Sequence, residues 1–297
     1  RDSLATHTDA APDIRFVIAP KLFQESRRKE LETGAEIVQA AAERPDRDVK
    51  PNGHIRSDYT LERFVVGPFN KLAHACAMEI VESRTNHLHP LFIHSRSGLG
   101  KTHLLQAIWH EIRARNDGRT AVYVSAEAFT NQFVYAMKAR RLDGFRHRYR
   151  QADILLLDDV HFLRRKAGLQ GELLHTYDAL ENRKCQLVLA SDVHPKMLAQ
   201  VRQNLVNRFA SGMVVRISNP DSAARLAILK AKAASLRQRF PPTVLRHVAK
   251  NFDGNVRELT GVLTAILAYA GLTNERISLP LARKTLARLS PGKPSVS

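Results

Sequence analysis

The chain has 297 residues, which is enough for one full core domain with a smaller domain appended. Its 46 Lys and Arg residues outnumber its 29 Asp and Glu residues. The resulting net charge of +17 favours a polyanionic partner such as nucleic acid or nucleotide, unless the parent proteome is merely basic. The sequence holds no run of about 18–20 apolar residues and begins without the apolar core of a signal peptide. We therefore expect a cytoplasmic protein without a membrane span. Cys76 and Cys185 form no CxxC pair, and we expect both to be core residues.

Composition and periodicity divide the chain into four segments. Residues 1–58 form an N-terminal extension with one predicted amphipathic helix, at about residues 20–44, and a polar linker. Residues 59–220 alternate short apolar runs with helical patterns. Residues 221–289 show helical periodicity only, and residues 290–297 should form a disordered tail.

The apolar runs predict the fold class. Continuous apolar runs separated by helices are typical of a parallel sheet that is covered on both faces. We therefore predict an α/β fold with a parallel five-stranded sheet, helices on both faces and an all-helical lid domain. The five predicted strands cover residues 91–93, 121–124, 154–157, 186–190 and 213–217.

A glycine-containing loop follows the first predicted strand and opens into a helix, which is the context of a phosphate-binding P-loop. Gly98 and Gly100 allow backbone N–H groups to approach phosphates, Lys101 can reach the β and γ oxygens, and Thr102 offers a hydroxyl to Mg²⁺. Ser95 stands where the P-loop pattern has its first glycine. If that position requires a positive φ, the serine costs on the order of 1 kcal/mol.

A second apolar strand ends in two carboxylates, fifty-odd residues after the lysine. This pattern predicts a Walker B strand, in which Asp158 holds the Mg²⁺ shell and Asp159 polarises the attacking water. A strand that ends at two solvated aspartates is the simpler alternative.

Several motifs in this order resemble the AAA+ domain of the bacterial DnaA replication initiators. The resemblance runs from Asp58 to about Leu289 and implies ATP and Mg²⁺ as cofactors and a slow, assembly-coupled ATPase. The matching segments are residues 58–67, 70–75, 90–93, 98–105, 129–131, 156–162, 175–176, 207–209 and 255–259.

The resemblance also implies roles for residues outside the P-loop. Asp192 falls at the sensor-1 position, Arg208 at the position of an arginine finger that reaches a neighbouring subunit, and Arg257 at the sensor-2 position of the lid. A strand-end aspartate, a surface arginine and an exposed helical arginine are the alternatives. Val65, Val66 and Asn70 are expected near the adenine, although the two valines could equally serve packing.

Three positions depart from the family pattern. Asn204 replaces an arginine that the family often carries four residues before the finger, which puts family-like oligomerisation in doubt. Val193 replaces an arginine after the sensor-1 aspartate, and Gly168 replaces a basic residue after the Walker B strand.

A basic segment between the second and third strands resembles the extra helical element with which initiators line a single-strand channel. We expect an apolar contact from Val134 and phosphate contacts from Lys138, Arg140 and Arg141, unless these cations only form a solvated helix face. A second basic cluster after the third strand, at residues 164–166, adds Lys166 to the expected DNA contacts. The eight residues after Leu289 are too few for a helix-turn-helix domain that reads duplex DNA.

These expectations support an ATP-dependent initiator that assembles into oligomers and contacts single-stranded or origin DNA. Two alternatives remain open. The chain could be a DnaA-related regulator that acts through a replicative helicase or clamp-like partner, or a helicase-loader-like ATPase.

Overall fold

The computed structural model describes residues 55–236 and 238–289. The predicted N-terminal helix and linker and the predicted disordered tail lie outside the described residues. No helix in the described ranges is long and apolar enough to cross a bilayer.

Five parallel strands form one sheet in the order β2-β3-β4-β1-β5. Nearly every residue of the three central strands β3, β4 and β1 is buried, because helices cover both faces of the sheet. The predicted α/β fold with a five-stranded parallel sheet is therefore confirmed. The strands are β1 (Leu91–His94), β2 (Ala121–Ser125), β3 (Ile154–Asp158), β4 (Gln186–Ser191) and β5 (Met213–Arg216).

Helix α1 (Lys71–Glu82) precedes β1, and further helices connect successive strands. They are α2 (Lys101–Arg115), α3 (Ala126–Lys138), α4 (Leu142–Arg150), α5 (Ala167–Asn182) and α6 (Gln203–Ser211). Short 3₁₀ helices cover Val160–Leu163 and Pro195–Met197.

Alternate residues of each strand serve two separate cores. Phe92 and Leu155 point into the core beneath α3, α4, α5 and α6, whereas Leu91 and Leu156 point into the core beneath α1 and α2. This alternation follows from the two-residue period of a strand. Cys76 and Cys185 are buried and unbridged, as expected.

The described residues after β5 are mainly helical and form a third core, which corresponds to the predicted lid. Its helices are α7 (Ser222–Ser235), α8 (Pro242–Asn251), α9 (Val256–Thr273) and α10 (Leu279–Leu289). Asn255 begins α9 with a capping box, because its side chain accepts from the Glu258 N–H while the Glu258 carboxylate accepts from the Asn255 N–H. Val65 and Phe69 from the segment before α1 pack against the lid core.

The parallel arrangement brings three loops with predicted site residues to one edge of the sheet, since the carboxyl ends of parallel strands lie side by side. The loop after β1 leads to Lys101, β3 ends at Asp158 with Asp159 next to it, and Asp192 follows β4.

Candidate nucleotide-binding site

The loop between β1 and α2 depends on two glycines. Gly98 has φ +78° and Gly100 has φ +100°, in the left-handed region that favours glycine. A Cβ at Gly98 would lie 2.6 Å from Asn255 Oδ1, and one at Gly100 would lie 3.2 Å from a ring carbon of Phe64. Ser95 does not have a positive φ, so the backbone penalty considered for a serine at this position does not arise.

Lys101 extends across this loop with its side chain 5% exposed. Its Nζ donates to the Ser95 carbonyl at 3.1 Å, to Ser95 Oγ at 3.2 Å and to the Arg96 carbonyl at 3.3 Å. The same atom lies 2.6 Å from Asp192 Oδ1. The lysine ammonium is therefore held at the carboxyl edge of the sheet, next to an anion.

Asp158 lies at the end of β3 and is 1% exposed. The Tyr123 hydroxyl donates to its Oδ2 at 3.1 Å, and the Asp159 N–H donates to its Oδ1 at 2.9 Å. Burial, and secondly the charge of Asp159, raise the pKa of Asp158 to about 6. A hydrogen bond with Thr102 partly offsets this rise in the pKa.

Asp159 has φ +55° and directs its carboxylate to the same edge. Burial raises its pKa, and the nearby charge of Asp192 adds to the effect. Raised pKa values in neighbouring carboxylates mean that their negative charge is poorly compensated. Oxygen ligands of this kind, together with the Thr102 hydroxyl, fit a bound Mg²⁺ ion.

His161 was not singled out in the sequence, yet it lies beside these carboxylates. Its Nε2 is 3.8 Å from Asp192 Oδ2, and its charge lowers the pKa of Asp159. One ligand atom from each of Asp159, His161 and Asp192 lies within 4.8 Å of the others. Two of the three predicted carboxylates, Asp159 and Asp192, are thus neighbours of one imidazole.

The lid touches the glycine loop through the first turn of α9. The Arg257 N–H donates to the Gly98 carbonyl at 3.2 Å, and the Asn255 amide packs against Gly98. The Arg257 side chain is exposed, and its charge lowers the pKa of Asp159. The first turn of α9 is therefore in direct contact with the glycine loop.

The three residues expected near adenine form a connected turn before α1. Asn70 is buried, its Nδ2 donates to the Val65 carbonyl at 2.9 Å, and its Oδ1 accepts from the Gly67 N–H at 2.9 Å. Val65 is half-buried against the lid core, and Val66 is exposed. Both polar atoms of the Asn70 amide are therefore hydrogen-bonded within this turn.

Arg208 lies away from the other predicted site residues. It is on α6, near the amino end of β5, where the Met213 N–H donates to the Pro90 carbonyl at 2.9 Å. The P-loop lies at the opposite, carboxyl edge of the sheet. Arg208 Nη1 contacts Asp178 Oδ1 at 2.6 Å and Glu181 Oε2 at 3.3 Å. The fold therefore does not bring Arg208 to Lys101 of the same chain.

The predicted DNA-contact residues lie on and after α3. Val134 is 36% exposed and Lys138 is exposed. Lys166 Nζ donates to Thr130 Oγ1 at 3.1 Å, so Lys166 lies one helical turn from Val134. Burial lowers the pKa of Lys166.

Apart from the buried Arg148, the remaining arginines of the segment divide into two groups. Arg140, with φ +54°, and Arg141 are exposed after the end of α3. Arg146 and Arg150 instead bind Glu172, at 3.2 Å and 2.5 Å. Arg146 and Arg150 therefore stabilise the packing of α4 on α5, while the cations at the end of α3 remain accessible.

Comparison with known proteins identifies the family of the chain. A family model described as "Bacterial DnaA ATPAse domain" matches residues 55–216, more than half of the chain. The chain belongs to the bacterial DnaA ATPase family. It is accordingly an AAA+ nucleotide-binding ATPase domain of the replication-initiator type.

Solved DnaA structures agree with this assignment. Domain III of the Thermotoga maritima replication initiation protein DnaA is 38% identical with a TM-score of 0.74, over 80% of this chain and 98% of that one. A replication initiator DnaA bound to AMPPCP and single-stranded DNA is 36% identical with a TM-score of 0.67, over 78% of this chain and 69% of that one. AMPPCP-bound DnaA from Aquifex aeolicus is 37% identical with a TM-score of 0.66, over 72% of this chain and 66% of that one.

Motif reasoning missed four residues that shape this DnaA-type site: Phe64, Tyr123, His161 and Asn255. Three of them act on motif residues from other elements, so no local spacing connects them. His161 had a usable signal, because it lies two residues after Asp159 on the turn that follows β3.

Proposed function

We propose that this domain binds ATP with Mg²⁺, hydrolyses it slowly when subunits assemble, and contacts single-stranded DNA during origin opening. The convergence of Lys101, Asp158, Asp159 and Asp192 at one sheet edge, under a lid that contacts Gly98, is the observation that carries this proposal. The cytoplasmic location stays a prediction.

Phosphate binding is assigned to the loop after β1. Gly98 and Gly100 leave the backbone open to phosphate oxygens, and Lys101 exchanges its contact with Asp192 for the β and γ oxygens. Asp192 is then released to sense the γ-phosphate. The short 2.6 Å contact supports this exchange, since it places an anion at the ammonium before nucleotide arrives.

The two carboxylates after β3 receive different tasks. Asp158 and Thr102 hold the metal ion, and Asp159 orients the attacking water. Bound Mg²⁺ supplies positive charge to the phosphate oxygens. Tyr123 keeps Asp158 in place through its 3.1 Å hydrogen bond, and the His161 ring packs beside the other two carboxylates, with its Nε2 3.8 Å from Asp192 Oδ2.

The lid and the turn before α1 are assigned to nucleotide sensing. Arg257 couples lid position to the phosphates, because its own N–H already binds the Gly98 carbonyl. Val65 and Val66 flank the adenine. Asn70 contributes by fixing the turn that presents them, since both ends of its amide are engaged.

Arg208 is assigned to the nucleotide of a neighbouring subunit. Its place at the opposite sheet edge supports action in trans, since its own P-loop is out of reach. An arginine supplied by a second subunit stabilises charge on the transferred phosphoryl group and makes hydrolysis depend on assembly.

Single-stranded DNA is assigned to the exposed side of α3. Val134 and Lys166 share one side of this helix, and Lys138, Arg140 and Arg141 extend the positive surface beyond its end. This arrangement supports a sequence-tolerant contact made through phosphates and one apolar side chain.

A regulator that acts through a helicase or clamp-like partner is the second candidate. Asn204 favours it, because this exposed residue occupies a position where the family often has a second interface arginine. A regulator of this kind would bind nucleotide without forming a concentration-dependent oligomer.

Fluorescence anisotropy with a labelled single strand, in ATP and in ADP, tests the proposal. We expect binding with ATP that weakens at least several-fold with ADP. Equal binding in both nucleotides, together with monomeric sedimentation in ATP, would favour the regulator.

A further inference from the structure

Three residues on one face of α5 contact Arg208, the arginine that is proposed to act on the nucleotide of a neighbouring subunit. Tyr177, Asp178 and Glu181 form this α5 clamp. Arg208 Nη1 contacts Asp178 at 2.6 Å and Glu181 at 3.3 Å, and the guanidinium carbon lies 4.9 Å from the centre of the Tyr177 ring. A contact with two carboxylates and one aromatic face restricts the guanidinium to a single region.

We propose that Asp178 and Glu181 are positioning residues for Arg208, which they hold over Tyr177 in the orientation that meets the nucleotide of the neighbouring subunit. This inference rests on the proposed action of Arg208 in trans. It adds residues that no sequence motif indicated and that touch neither nucleotide nor metal in their own subunit.

The hydrogen-bonding pattern leaves the guanidinium able to act. Both carboxylates contact the same nitrogen, Nη1, and no hydrogen bond to Nε or Nη2 is found among the described residues. A guanidinium has five N–H donors in a fixed plane. Several donors can therefore reach a phosphate while the α5 clamp stays closed.

The α5 clamp is built on a rigid support. The Tyr177 side chain is 1% exposed, and its hydroxyl donates to Glu181 Oε1 at 3.4 Å. The Tyr177 hydroxyl thus restrains the Glu181 carboxylate, and the Tyr177 ring packs against the Arg208 guanidinium. A free arginine loses much rotamer freedom when it binds a phosphate, and an arginine that is already restrained loses less.

The α5 clamp contributes little to the stability of the fold. Arg208, Asp178 and Glu181 are all at least one-third exposed, and ion pairs between exposed side chains have small stabilising effects. Neutralising the two acids should therefore leave folding intact, so a change in activity reports on Arg208 itself.

The test compares four variants by steady-state ATP hydrolysis over a range of protein concentrations. They are Arg208→Ala, the double variant Asp178→Ala with Glu181→Ala, the conservative Asp178→Asn, and Asp143→Ala, a control for loss of an exposed acid on α4.

We expect the double variant to lower kcat at saturating protein by roughly three- to ten-fold, the loss expected for two exposed ion pairs. Its KM for ATP and its melting temperature should stay unchanged. Asp178→Asn should recover part of kcat because an amide oxygen still accepts from Nη1, and Asp143→Ala should match the wild type.

Two sets of results separate failure of the α5 clamp from failure of the proposed function. If Arg208→Ala removes concentration-dependent hydrolysis while the double variant keeps full kcat, the α5 clamp does not position Arg208. A double variant with a higher kcat than wild type would also overturn the inference, because the acids would then compete with phosphate for Arg208. If Arg208→Ala itself keeps normal hydrolysis, the trans assignment is wrong and the inference falls with it.

Discussion

Lys101 Nζ and Asp192 Oδ1 lie 2.6 Å apart and join the P-loop to the end of β4. The lysine is almost fully buried, so its charge needs a partner even without nucleotide. Asp192 supplies that partner from the next strand of the sheet. If a nucleotide phosphate binds at Lys101 as proposed, it replaces one anion at the ammonium with another.

Replacing Asp192 with asparagine should separate binding from hydrolysis. The variant Asp192→Asn removes a carboxylate that competes with phosphate, so ATP affinity should stay equal or rise by up to about five-fold, equivalent to about 1 kcal/mol. Hydrolysis should slow by about ten-fold or more, because γ-phosphate sensing is lost. Titration with a fluorescent ATP analogue and single-turnover hydrolysis measure the two effects. A variant that binds ATP much more weakly would show that Asp192 supports Lys101 rather than competing with phosphate.

The variant Asp159→Asn should leave ATP binding nearly intact and lower turnover by about 10²- to 10⁴-fold, since it removes the carboxylate that orients water. Asp158→Asn is the matched comparison and should weaken Mg²⁺-dependent binding as well, because Asp158 is assigned to the metal. Equilibrium dialysis with ATP and a phosphate-release assay, both over a Mg²⁺ titration, distinguish the two variants. Unchanged turnover in Asp159→Asn would mean that the roles of the two carboxylates are assigned wrongly.

Neutralising Lys138, Arg140 and Arg141 together should flatten the salt dependence of single-strand binding. Each lost phosphate contact lowers the slope of log K against log salt by about 0.7, so loss of all three lowers it by about 2. Anisotropy titrations at several salt concentrations measure the slope. The triple variant of the exposed lid cations Lys230, Arg246 and Lys250 serves as the control and should keep the wild-type slope.

The pair of substitutions Val134→Ala and Lys166→Ala should weaken single-strand binding in ATP, because both side chains lie on one side of α3. If neither this pair nor the three cations Lys138, Arg140 and Arg141 affect binding, the basic segment is a solvated face. The regulator then becomes the better account.

His89 should make the fold less stable in mild acid. Burial lowers its pKa below the ordinary value of 6.5, and its Nδ1 accepts from the Leu187 N–H, so the folded protein keeps it neutral. The unfolded chain takes up a proton as the pH falls through about 6.5, and the free energy of unfolding therefore decreases with falling pH. Urea unfolding between pH 8 and pH 5 should show a smaller decrease for His89→Gln than for wild type. His147→Gln, at an exposed position of α4, should behave like wild type. An equal decrease in all three proteins would contradict the assignment.

Local patterns predicted the sheet correctly because its physical cause is local, and the glycine loop before Lys101 has a local cause as well. Buried strands such as Ile154–Asp158 must be continuously apolar, and the tight loop before Lys101 requires glycines at φ +78° and +100°. The helical periodicity of α9 likewise lies within one stretch of sequence.

The unpredicted features depend on contacts between distant segments. Tyr123 reaches Asp158 only because β2 lies beside β3, and Asn255 reaches Gly98 only because the lid folds over the loop. The α5 clamp on Arg208 joins two helices that are separated by a strand. Ser95 carries no free-energy cost from a positive φ, because its φ is not positive and depends on the path of the whole loop.

Mixing two inactive variants tests the central claim most directly. Lys101→Ala should not bind ATP but keeps Arg208, whereas Arg208→Ala keeps the nucleotide site but lacks the arginine. Each variant alone should hydrolyse ATP at background rates. An equimolar mixture should hydrolyse ATP at a rate that increases with total protein, because Lys101→Ala subunits supply Arg208 to the ATP of their neighbours. A mixture that stays at background, when both variants are folded and Arg208→Ala binds ATP, would contradict the account that these subunits complete one another's active sites.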